Sequence, residues 1–85
     1  MEEAELRQLV TLVWDPAAQS LGLDENLFEY GLNSIHILRL VDALSQHAGV
    51  SATLSDFYTQ PSLSHWLKTC RQLREQEANH GGVTA

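Results

Sequence analysis

The 85-residue chain is long enough for one small domain and too short for a second. Apolar residues make up 44% and charged residues 19%, a globular composition with too little length for a deep catalytic cleft. Five Lys and Arg against eleven Asp and Glu give a net charge of −6, which argues against nucleic-acid binding and suits a soluble domain whose partners carry basic patches. No apolar run approaches the roughly 20 residues that span a bilayer, and the acidic N-terminus is not a signal peptide. The single Cys70 excludes an internal disulfide, so the cytoplasm is the expected compartment.

The first predicted helix covers Glu2 to Trp14, with Leu6, Leu9, Val10, Val13 and Trp14 at helical spacing and Glu2, Glu3 and Glu5 on its first turn. Asp15-Pro16 should stop or kink it, because proline pushes the preceding residue toward extended geometry. From Pro16 to Asn33 the pattern is irregular, yet Leu21, Leu23, Leu27, Phe28 and Tyr30 are too apolar to be left in water, so this long loop should fold back onto the core. A second helix is expected from Asn33 or Ser34 to His47 or Ala48, burying Ile37, Leu40, Val41 and Leu44, with Gly49 as its stop. A short helical turn is expected at Asp56 to Thr59, capped by Ser55. After Pro61, Ser62 can cap a last helix reaching Glu75 or Glu77, with Leu63, Trp66, Leu67, Cys70 and Leu73 on one stripe. The expected fold is all-α: a bundle of three main helices and one short one, with a long ordered loop between the first two. The domain is placed at 1–77, with a disordered tail at 78–85. The start at Met1 and the loose tail favour a free-standing protein, expected to be a monomer.

No metal site is expected. His36 and His47, eleven residues apart on one helix, stand about 16 Å from each other. His65 and Cys70 point to different faces of theirs, and Cys70 reads as a buried thiol on the apolar stripe. Nor is hydrolase chemistry expected: Ser34 and His36 are two apart and do not face each other on a helix, and no G-x-S-x-G elbow exists. The informative segment is Leu27-Phe28-Glu29-Tyr30-Gly31-Leu32-Asn33-Ser34-Ile35. It sets a serine at the first turn of an amphipathic helix, just after a glycine able to bend the chain tightly. The backbone N–H groups and dipole there favour an anion, including a phosphate ester on the serine. By position alone Ser34 also reads as an ordinary capping residue, worth about 1 kcal/mol.

The surroundings of Ser34 resemble the phosphopantetheine-binding carrier proteins of fatty-acid, polyketide and nonribosomal peptide synthesis. The landmarks are Leu27-Phe28, Gly31-Leu32-Asn33-Ser34-Ile35 and Pro61-Ser62-Leu63, with the apolar pair Phe57-Tyr58 ahead of the proline. The resemblance runs from about Leu6 to Leu73. It implies that a phosphopantetheinyl transferase joins 4'-phosphopantetheine from coenzyme A to Ser34 as a phosphodiester. The arm's thiol would then carry an acyl, aminoacyl or aryl cargo as a thioester. A serine without a neighbouring base is a poor nucleophile, so activation must come from the partner enzyme and the domain itself is not expected to be an enzyme. Asn33 departs from the family's usual Asp. It caps a helix equally well but lacks the charge, which could weaken docking to a basic transferase. An unmodified, carrier-like interaction module is therefore the alternative reading.

The second helix is close to charge-balanced, with His36, Arg39, Asp42 and Gln46 among its polar positions, unlike the strongly acidic one of fatty-acid carriers. Docking should then use apolar contacts, with Ile35, Leu38, Phe57 and Tyr58 as candidates. Ile35 and Leu38 can equally be core, and one of Phe57 and Tyr58 should pack inward. The profile resembles the peptidyl and aryl carriers of nonribosomal peptide assembly. Trp66 and the short approach from Leu27 to Ser34 are similar to aryl carriers of siderophore-type pathways, although Trp66 also fits an ordinary core position. The implied partners are the transferase, an adenylating or acyl-loading enzyme, and condensing or tailoring enzymes; no nucleic acid or membrane partner is expected.

Overall fold

In the computed structural model the backbone is described for residues 1–84 and side chains through Glu75; the tail expected at 78–85 lies outside the fully described residues. The chain forms α1 (Glu3–Val13), α2 (Ser34–Ala43), α3 (Leu54–Tyr58) and α4 (Leu63–Thr84), and no strand occurs among the described residues. Two 3-10 turns, Pro16–Gln19 and Leu27–Tyr30, punctuate the loop between α1 and α2. The all-α bundle with a long ordered loop is the fold that the apolar spacing requires.

Acidic Glu3 and Glu5 sit in the first turn of α1, where they oppose the positive end of the helix dipole. The helix stops at Val13 instead of kinking. Asp15 is extended, its carboxylate accepts the Ala17 N–H at 2.8 Å, and Pro16 opens the first 3-10 turn. Proline suits that position because its fixed φ matches the turn and its missing N–H is not needed.

The loop is held down by hydrogen bonds rather than by burial alone. From α1, the half-buried Arg7 donates through Nη1 to the carbonyls of Ala18 at 2.9 Å and Leu21 at 2.7 Å, while its Nε pairs with Glu3 at 2.9 Å. Further on, Leu27 N–H donates to Pro61 O at 2.9 Å and Ser64 N–H to Leu23 O at 2.8 Å. Ser64 Oγ also donates to Asp24 Oδ1 at 2.8 Å. The loop is thereby tied both to α1 and to the start of α4.

Its apolar residues then complete the core. Leu27 and Leu32 are fully or nearly buried with Leu6, Val10, Ile37, Leu40, Leu44, Leu63 and Trp66. Leu21, Leu23 and Phe28 pack against that cluster from its edge. Trp66 is wholly buried: its indole N–H donates to Phe57 O at 3.0 Å and its ring meets that of Phe57 edge-on at 5.6 Å. A buried tryptophan needs such an acceptor for its one polar atom.

The helical run from Ser34 reaches Ala48 and stops at Gly49 as expected, with a change of pitch on the way, while the start of α3 differs. The regular part of α2 ends at Ala43 and continues as one wider π turn, Leu44–Ala48, closed by Gly49 at φ +65. Val50 N–H bonds back to Leu44 O at 3.1 Å, satisfying a terminal carbonyl, and only glycine adopts the left-handed cap without strain. The short helix α3 starts two residues earlier than expected and is capped by Thr53, not Ser55: Asp56 Oδ2 accepts the Thr53 N–H at 2.8 Å. Asp56, expected to open the helix, instead supplies the returning half of its cap.

Candidate functional site

Three local features place Ser34. Gly31, at φ +101, turns the chain out of the Leu27–Tyr30 turn, and its N–H satisfies the carbonyls of Leu27 and Phe28. Leu32 then anchors inward, 4% exposed, and Ile37 and Leu40 anchor the other side of the helix start. Ser34, the first residue of α2, falls between these anchors on the outer surface. No hydrogen bond holds its hydroxyl among the described residues, so Oγ is free to meet an incoming group.

Asn33 is the cap. It is extended (φ −137, ψ −178), its Oδ1 accepts the Ile35 N–H at 2.9 Å, and its carbonyl accepts the Ile37 N–H at 3.2 Å. The reciprocal bond comes from His36, whose Nδ1 accepts the Asn33 N–H at 3.1 Å. The His36 ring lies against Trp14 at the end of α1, with ring centroids 6.4 Å apart. No acidic residue occupies the first turn of α2, so no side chain of that turn offsets the partial positive charge at this helix end. A free hydroxyl, an uncharged Asn33 cap and open approach fit a phosphodiester at this oxygen.

The expected docking residues separate into two groups. Ile35 and Leu38 are 59% and 60% exposed, and Tyr58 is also exposed. Phe57 is a correction: it is 0% exposed, locked under Trp66, and has no surface to offer a partner. Tyr58 instead leans edge-on against Phe28 at 5.5 Å. Leu54, which the sequence reading passed over, is exposed one helical turn before Tyr58 on the same face of α3. Its signal was the four-residue spacing to Tyr58, hidden because the helix start was placed too late. Val41, expected in the buried stripe, is only half-buried; with Leu38, Arg39, Asp42, Ser45, Ser51 and Ala52 it lines an open hollow of about 560 Å³ beside α2.

Elsewhere, Tyr30 donates its hydroxyl to Glu25 at 2.6 Å, and that hydrogen bond and the carboxylate's charge raise the phenol above its ordinary range. Cys70 is buried, and loss of solvent pushes its thiol up to about 11. Among the described residues no group of three or more His, Cys, Asp or Glu could hold a metal ion, and no helix is long and apolar enough to cross a membrane.

The helical bundle presents an exposed serine at the start of its second helix. The chain belongs to the phosphopantetheine attachment site family, whose pattern it matches over residues 4–70. It is thus a member of the carrier proteins, whose fold is the site of covalent 4'-phosphopantetheine attachment. No curated protein and no solved structure gave a significant match.

Proposed function

We propose that Ser34 is the attachment residue and that the domain is a non-catalytic carrier for nonribosomal peptide or related natural-product assembly. The observation that carries this reading is the free Ser34 hydroxyl at the exposed start of α2. In the loading step Ser34 Oγ attacks the pantetheine-side phosphorus of the coenzyme A diphosphate. The new O–P bond replaces the bond to the adenosine bisphosphate half, and the serine proton passes to a base of the transferase. When bound, the arm supplies a thiol that holds cargo as a thioester. The chain's own part is to fix the serine, keep it open, and hold the tethered cargo at high effective concentration near each partner enzyme.

Partner docking falls to exposed apolar residues of α2 and α3, namely Ile35 and Leu38 on the first and Tyr58 with Leu54 on the second. The partners are a phosphopantetheinyl transferase, an adenylating or acyl-loading enzyme, and condensing or tailoring enzymes, working in the cytoplasm. Incubation with coenzyme A and a broad-specificity transferase should add one phosphopantetheine by intact mass. Ser34→Ala should abolish the gain. A wild-type protein that stays at its original mass overturns the reading.

A further inference from the structure

The bond that closes the cap of α2 comes from an unusual acceptor. A backbone N–H only donates, so His36 Nδ1, 3.1 Å from the Asn33 nitrogen, must present a lone pair. That contact requires the neutral tautomer that carries its proton on Nε2. Glutamate or glutamine commonly fills this third helical position of a capping box, reaching back to the cap residue's N–H. Here a histidine does so, and the contact with Trp14 ties its ring to the end of α1.

The consequence falls on Ser34. Asn33 is held at three points: its side chain by Ile35 N–H, its carbonyl by Ile37 N–H, and its own N–H by His36. Ser34 lies between Asn33 and Ile35 in the chain, so the direction of its Cα–Cβ bond follows from how firmly those two neighbours are fixed. His36 cannot act as a base toward Ser34, since residues two apart do not face each other on a helix and its Nδ1 is already engaged. Its effect passes through the backbone of Asn33.

We infer that His36 is a positioning residue for the modification of Ser34, holding the serine for the transferase only while its ring is neutral. This rests on Ser34 being the attachment residue. An imidazolium has N–H donors at both nitrogens and no lone pair for Asn33. It would also add positive charge at the positive end of α2, where no acidic residue offsets it. The group facing His36 from α1 is the uncharged Trp14 ring. Among the described residues no carboxylate lies within ion-pair distance of His36, and the nearest charged residue on its own helix is Arg39, one turn on. Among the described residues no other side chain accepts the Asn33 N–H, which solvent alone would then meet.

The test compares transferase kcat/KM, with coenzyme A in excess, for wild type, His36→Ala and His36→Gln, all well below their unfolding temperatures. His36→Ala should lower kcat/KM about fivefold, the scale of one lost capping interaction, and His36→Gln should restore it. The ratio of wild type to His36→Gln should fall as the pH drops from about 8 to about 5.5, the range in which histidine changes charge; taking the ratio removes the transferase's own titration. In parallel, the Asn33 amide resonance of the unmodified protein should shift with His36 ring protonation. Equal rates for wild type and His36→Ala, or a pH-independent ratio, overturn the positioning role while leaving Ser34 as the attachment residue. An Asn33 amide indifferent to His36 overturns the capping bond itself. A wild type that takes up no phosphopantetheine overturns both this inference and the reading beneath it.

Discussion

Phe57 and Tyr58 are neighbours in sequence and opposites in the structure, which makes them a direct measure of what each position does. Phe57 is fully buried with its ring edge-on to Trp66, whereas about half of Tyr58 meets solvent. Truncating a buried phenylalanine typically costs about 3–5 kcal/mol, through lost burial and the cavity left behind. A domain of this size has a total stability of roughly 4–13 kcal/mol. Phe57→Ala should therefore remove about a quarter of that stability or more, lowering the midpoint of urea unfolding in proportion and unfolding the protein outright if its total lies at the low end. Tyr58→Ala should move that midpoint little and instead weaken loading by partner enzymes. From sequence the pair was legible only as one inward and one outward aromatic. Helix α3 has five residues, too few for a hydrophobic period to fix its buried face. That choice is made by Trp66, nine residues further on, which needs both the Phe57 carbonyl and the Phe57 ring.

The elements divide by what holds them. Helices α1, α2 and α4 carry their own instructions as apolar stripes, acidic first turns or caps, and their existence followed from spacing. The loop between α1 and α2 does not. Its apolar content required it to fold inward, but its path depends on Arg7, which ties α1 to the carbonyls of Ala18 and Leu21, eleven and fourteen residues away. An arginine on the polar side of an amphipathic helix looks like any solvated charge, so nothing local marked it. Arg7→Ala should destabilise the domain by about 1–3 kcal/mol, since two carbonyls lose a charged donor. Arg7→Lys should recover only part of this, because an ammonium lacks the planar fork that serves two carbonyls and Glu3 together. Chemical unfolding gives the magnitude. Faster amide hydrogen exchange between residues 16 and 25, with α4 unchanged, would show that the loss lies in the loop; uniform exchange throughout would show that it does not.

Across the whole molecule, the buried thiol of Cys70 couples stability to pH at the alkaline end. Its ordinary value is near 9, and burial raises it to about 11 in the folded protein. Between those values the unfolded chain has released the proton while the folded one retains it. This contribution is complete below about pH 9 and is lost as the pH rises toward about 11. Cys70→Ala should remove that part of the alkaline decline, so the stability gap between wild type and variant narrows from pH 8.5 to pH 10.5, values chosen to bracket roughly the ordinary thiol range. Urea midpoints at the two pH values measure it; a constant gap would show that the folded thiol titrates as a free one does.

Taken by itself, the sequence determined the all-α class, the four helices though not the start of the short one, the bend at Gly31 and the exposed serine that follows it, because each rests on contacts within a few residues. Capping, helical spacing and backbone freedom at a glycine are local, and a linear pattern records them. The tertiary structure decided which of two adjacent aromatics is core, where α3 begins, how Val41 opens onto a hollow beside α2, and how a histidine ring reaches back to close the cap beside Ser34. Most of these depend on surfaces brought together by folding, such as Trp14 against His36 and Trp66 against Phe57. No sequence window contains either aromatic pair at the spacing of one helix, so only the packed chain could show them.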